Sequence, residues 1–246
     1  MKIIGNISFA LLVVIVFTTC QKDHLLDCLR STGQDVTEYR KKDFYDKINL
    51  KDNIDVVFHR DSVCSIEVMA GQNLIDGIIT EQSGSTIYIR NENKCNWMRS
   101  FKNKYTVHIY APTISKVDTY GAGDFNCTDT IVCPEFSFDS WNASGTANLL
   151  FHCGKIHLNN NIGRMTFNAI GFSAVSFYYI NDTGVLDAHE LQSDLTYIRS
   201  VTTGSCKVNV QKELGIEIRY TGNIYYYGNP YKIDQQITGA GQLIHS

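Results

Sequence analysis

Four aspartates, Asp118, Asp124, Asp129 and Asp139, lie near enough along the chain to be weighed as cooperating carboxylates. Two carboxylates at working distance can share acid and base duties in glycoside hydrolysis, and clusters of them hold Ca²⁺. The remaining parts of that chemistry are missing, since the chain has no Asp-Asp pair and no Gly-His-Gly. The plainer expectation is that these acids solvate a surface. The seven histidines show no metal-ligand spacing. His152 and His157 are five apart, which puts them on opposite faces of a continuous strand. There is no Gly-x-Ser-x-Gly nucleophile turn and no phosphate loop, and no helix follows Gly121-Ala122-Gly123 as a dinucleotide site requires. No catalytic residue, metal site or cofactor is expected.

Aromatic side chains are the better candidates for chemistry at a surface. Tyr178-Tyr179 and Tyr225-Tyr226-Tyr227 alternate along strands, so one of each set should face outward, and Trp141 lies between Ser140 and Asn142. Exposed tyrosine and tryptophan stack on sugars and peptides at modest entropic cost. Trp141, Tyr178, Tyr179 and Tyr226 are therefore the candidate ligand contacts. The alternative is that these rings form ladders inside the fold or shield its ends. Two further motifs, Asp61-Ser62-Val63 and Asp129-Thr130-Ile131, resemble an O-glycosylation sequence of exported proteins, or are ordinary turns.

Cys20 carries a different chemistry. Lys2 and the apolar residues 7–17 (ISFALLVVIVF) form a secretory signal too short to span a bilayer. The run ends at Phe17-Thr18-Thr19-Cys20, which resembles a bacterial lipobox, so the expectation is cleavage before Cys20 and lipidation of its thiol. The alternative is an ordinary signal with an incidental cysteine. Gln21-Lys22-Asp23 resembles a tether for outward display. The expected location is thus the outer membrane, anchored by lipid, at the cell surface or on the periplasmic face. The other cysteines, Cys28, Cys64, Cys95, Cys127, Cys133, Cys153 and Cys206, are odd in number and contain no C-x-x-C. They read mainly as small buried hydrophobes. A formal net charge of −3 provides no basic field for nucleic acid.

These residues must be positioned by strands. Removing residues 1–19 leaves 227, of which 20–42 read as a polar tether. From Phe44 the apolar pattern has period two, as in Ile54-x-Val56-x-Phe58 and Ile87-x-Ile89, which marks half-buried strands over 43–112. Residues 91–104 read as a long basic loop holding Trp97 and Phe101. From 113 to 246 the chain repeats a β run, a small-residue turn with glycine, and another β run. The glycines Gly121, Gly145, Gly163, Gly184, Gly204, Gly222 and Gly239 are separated by 24, 18, 21, 20, 18 and 17 residues. A period near twenty is the mark of a solenoid, whose rungs bury their apolar faces only by stacking. A sandwich of hairpins would turn about every 8–12 residues instead. Asn159-Asn160-Asn161 fits a corner where amides hydrogen-bond along the stack, or a surface loop.

The residues resemble the head GIN domain family of putative auto-transporter adhesins. The resemblance rests on Phe44-x-x-x-Ile48, Asn53-Ile54-Asp55-Val56, Asn73-Leu74-Ile75 and Ile79-Thr80-Glu81. It also rests on the turns at Gly121-Ala122-Gly123 and Thr238-Gly239-Ala240-Gly241, and on the ending Ile224-Tyr225-x-x-Gly228-x-Pro230. Gly163 departs from the pattern. The resemblance covers about 44–246 and implies an all-β, right-handed parallel β-helix-like solenoid, found in many Bacteroidota lipoproteins. It implies no reaction, and a role in adhesion or surface binding. The partners in view are the membrane through Cys20, and a glycan, the extracellular matrix or another envelope protein. A structural role in envelope assembly, or a glycan-active enzyme on the same scaffold, are the alternatives.

Overall fold

The computed structural model describes residues 31–94 and 105–246. The signal segment, Cys20, the display tether Gln21-Lys22-Asp23, Cys28, Cys95, Trp97 and Phe101 lie outside the described residues.

The two periods of the sequence become two directions in space. Period two sends alternate residues inward along each strand. The longer period brings the chain back to the same face one rung on. The strands are β1 (Asp35–Lys41), β2 (Lys47–Leu50), β3 (Asp55–Arg60), β4 (Ser65–Gly71), β5 (Ile78–Ser83), β6 (Thr86–Asn91), β7 (Thr106–Ala111) and β8 (Lys116–Thr119). They continue as β9 (Phe125–Cys127), β10 (Ile131–Asp182), β11 (Val185–Thr202), β12 (Cys206–Ile218), β13 (Ile224–Tyr227), β14 (Lys232–Ile237) and β15 (Leu243–His245). The long β10, β11 and β12 stay extended through their corners and wind as a β-solenoid. Tyr197 of β11 pairs in parallel with Phe177 of β10 on one side and with Gly215 of β12 on the other.

The boundary expected at residue 113 is absent. β2 and β3 already form a rung, joined in parallel to the next (Ile48↔Val117, Val56↔Phe125). Their other edges are covered by β6 and β7, again in parallel (Ile48↔Ile87, Val56↔Val107). β4 and β5 then pair antiparallel to β7 and β6 and close this end of the solenoid. The tether expected over 20–42 also ends early, because Asp35–Lys41 pairs with β4 along its whole length. Its sequence DVTEYRK hides this role: an edge strand with little buried surface needs no apolar alternation, and charge there discourages pairing with other chains.

One apolar core runs along the solenoid axis. Phe125, Phe138 and Phe167 pack edge to face on successive rungs, with centroids 5.5 and 5.3 Å apart. Inward positions near one corner are small: Cys133, Cys153, Ser173 and Ser193. There Ser173 and Ser193 donate to the carbonyls of Val175 and Leu195, each at 2.8 Å, so inward-turned backbone is satisfied. The described cysteines are free and mostly buried, as expected. Burial pushes the Cys127 and Cys206 thiols up to about 12.

The glycine corners stack. A Cβ on Gly204 would lie 2.3 Å from the Gly184 carbonyl oxygen, and one on Gly222 would lie 2.1 Å from that of Gly204. Close approach of backbones, not positive φ, demands glycine in this column. Gly145 needs both, with φ +134° and the Gly123 carbonyl 2.1 Å from a built Cβ. Gly121, Gly123, Gly239 and Gly241 meet carbonyls of the preceding rung in the same way, and so does Gly163, which keeps its corner despite the altered motif. Of the two readings of the asparagine run, the structure has the stacked corner: Asn161 Nδ2 donates to the Ser140 carbonyl at 3.3 Å, and Asn181 Nδ2 to that of Asn161 at 2.7 Å.

Candidate functional site

The solenoid face that carries β2, β6, β8 and their successors presents two outward columns. In the first, His157, Phe177 and Tyr197 occupy successive rungs. Their rings stack with centroids 4.9 and 5.4 Å apart and interplanar angles of 9° and 18°. The column continues at Gly215 and Asp234 (Tyr197↔Gly215, Gly215↔Asp234). In the second column Tyr179, Arg199, Glu217 and Gln236 follow one another. Between them lies an open groove of about 630 Å³.

The groove's charges are matched. Arg199 and Arg219 both donate to Glu217, and the Arg199 hydrogen bond is the main reason its carboxyl is held below the usual range. Asp234 pairs with Lys232 at 3.0 Å. The walls are therefore planar, ionised or amide groups with spare donor and acceptor positions.

Of the four expected ligand contacts, Tyr178 and Tyr179 both border this groove, and only Tyr179 turns its side chain outward. Tyr178 points the other way, only 4% exposed, and packs in the core. Strand parity decides this, because its neighbours on the next rung put Ile198 inside and Tyr197 and Arg199 outside. Tyr226 packs partly against the core and stacks on His245 at 4.6 Å. Trp141 is 43% exposed at the start of a corner, next to Asn142 with φ +52°, and is not among the groove residues. Phe177, Tyr197 and Arg199 were missed by sequence reasoning. The signal was the equal spacing of 157, 177 and 197, which matters only once the repeat is known to be a physical rung.

The four aspartates do not assemble. Asp118 and Asp139 are register partners, but the first pairs with Lys116 and the second accepts from Ser137 and Asn159. Asp124 accepts the Thr146 amide, and Asp129 the Arg60 amide. Among the described residues no three His, Cys, Asp or Glu are placed to hold a metal ion. His152 and His157 sit on different faces because the chain turns between them; His152 meets Phe172 and His157 meets Phe177 and Glu135. A second titratable cluster lies near the capped end. His59 Nε2 is 2.8 Å from His108 Nδ1, and the His59 ring stacks on Tyr110, whose hydroxyl donates to Glu67 at 3.0 Å.

Fold and groove together define a parallel β-solenoid domain with an open groove, edged by stacked rings, on one face. The chain belongs to the family described as putative auto-transporter adhesin, head GIN domain, whose model matches residues 44–230. No curated protein matches it. Its fold is similar to that of a putative adhesin from Bacteroides fragilis, with a TM-score of 0.77 at 16% identity over 87% of this chain and 97% of that one. A putative adhesin from Parabacteroides merdae follows with a TM-score of 0.64 and 17% identity, over 87% and 97%. A putative lipid binding protein from Parabacteroides distasonis has a TM-score of 0.61 and 17% identity over the same shares.

Proposed function

We propose that this protein is a non-catalytic binding module of the bacterial envelope, an adhesin tethered by lipid on Cys20 and displayed outward. The observation that carries the reading is the groove beside the His157-Phe177-Tyr197 stack. Rigid parallel strands hold its aromatic and polar groups in fixed register, as a binding site requires. The aspartates that a glycan-active enzyme would use are instead engaged by an ion pair within one strand and by hydrogen bonds within and between rungs. Membership in a family of putative adhesins supports the same reading.

Two measurements test it. Fractionation of cells making wild type and Cys20→Ala should find the first in the outer membrane and the second released, and unchanged membrane association would defeat the anchor. A glycan array and a matrix-protein panel probed with the whole chain should give binding. Silence on both, with a stable envelope partner in pull-downs, would point to a structural role in the envelope.

A further inference from the structure

Cys133 and Cys153 are 20 residues apart, the interval that also sets His157 against Phe177 and Phe177 against Tyr197. Here too the interval is one rung. A Cβ on Gly154 would lie 2.7 Å from the Pro134 carbonyl oxygen, and Lys155 reaches Glu135 at 3.4 Å, so Cys153 follows Cys133 in register. Both side chains turn inward and are buried, and their sulfurs are 3.4 Å apart. Ser173 and Ser193 stand inward on the next two rungs, and each hydroxyl turns instead to a carbonyl of its own rung. Neighbouring strands lie about 4.8 Å apart, within the roughly 4.4–6.8 Å that a disulfide spans between Cα atoms. A rotation about the two Cα–Cβ bonds therefore closes the sulfur gap while the strands stay in place.

We propose that Cys133 and Cys153 are an oxidative cross-linking site, joined in the envelope into a disulfide that staples two neighbouring rungs. The inference goes beyond the binding reading and takes from it only the compartment in which an oxidant is met. That oxidant is a disulfide, R–S–S–R. The hydrogen bond with Cys133 draws the Cys153 thiol below its ordinary value, which makes Cys153 the attacking sulfur. Its thiolate attacks R–S–S–R, forms a mixed disulfide and releases one R–S⁻. Cys133 then gives up its proton, attacks the Cys153 sulfur and expels the second R–S⁻. The two protein thiols lose two electrons and two protons, and R–S–S–R becomes two R–SH. The exchange belongs to the folding chain, since both cysteines are buried in the finished rod.

The test is peptide mapping by mass spectrometry of the whole chain, isolated from cell envelopes without reductant and alkylated in denaturant. A pair of peptides joined through Cys133 and Cys153 should appear and should vanish after treatment with dithiothreitol. The reduced, denatured chain refolded with oxidised glutathione should form the same link, which tests the pair wherever the protein resides in the cell. Reduction should lower the midpoint of thermal unfolding of the wild type by about 5 °C or more. It should leave the midpoint of a Cys133→Ser, Cys153→Ser double variant unmoved, which separates the staple from simple packing of two small side chains. Alkylation of both cysteines in the envelope protein and again after refolding with glutathione overturns the site. So does a link from either one to a different cysteine, or a wild-type midpoint that ignores reduction. A link that forms with glutathione but not in cells upholds the pair and counts against the envelope reading instead.

Discussion

At the scale of single residues, burial and neighbours decide what each group can do. His108 lies against His59, with Glu67 and Tyr110 close by, and burial first and His59 second hold its imidazole below the ordinary value. The folded protein therefore binds this proton more weakly than the unfolded chain does. Stability present above pH ~6.5 should fall as pH drops through that value. Thermal melts between pH 7.5 and 5.5 should show the decline, and His108→Asn should flatten it in that window. A wild-type curve that is flat there would remove His108 as the cause. The arginine hydrogen bonds of Glu38, Glu81 and Glu217 hold these carboxyls below their usual range, so they titrate outside this window. The same scale shows what sequence could not settle at Tyr178 and Tyr179. Alternation says that one faces out, but both flanking positions, Phe177 and Ile180, are apolar. The sequence pattern is therefore nearly symmetrical, and only the register with Tyr197 and Ile198 breaks the tie.

At the scale of elements, the corners and the edge carry the lessons. Period two and period near twenty were both legible, because inward alternation and stacked corners are periodic demands on side-chain size. Gly145→Ala should cost about 3 kcal/mol or more, since it combines a left-handed backbone with a Cβ driven into the Gly123 carbonyl. Gly84→Ala should cost only about 1–2 kcal/mol, because φ +58° is its sole objection and nothing lies within 4 Å. Urea denaturation of the two variants checks the contrast, and equal losses would mean that conformation rather than contact governs the corners. What was illegible was β1, which buries too little to impose a pattern, and the groove, whose members sit twenty residues apart. Such columns have no local signature. They emerge only when the rung length at each corner is known, as the shift between Ala188 and Gln192 against Val208 and Asn209 illustrates.

At the scale of the molecule, the described chain is a rod of stacked rungs closed at one end by antiparallel strands. β1 completes that closure by lining the outer edge of β4 over seven residues. Deleting residues 31–42 should bare the β4 edge and produce self-association, visible as a higher mass in light scattering after size exclusion. A deletion variant that stays monomeric and equally stable would show the edge to be harmless. The spatial order of the strands has a consequence for how the rod comes into being. β3 lies between β7 and β9, and β2 between β6 and β8. The earliest rung to leave the ribosome thus gains a neighbour for β2 only when residues 86–91 have been made, and one for β3 only at residues 106–111. Assembly must pause over this first module, a nucleus built from segments distant in sequence. Each later turn then meets a finished template barely one repeat behind it. The rod grows as a crystal does, slow to seed and quick to extend, and always toward its C-terminal end.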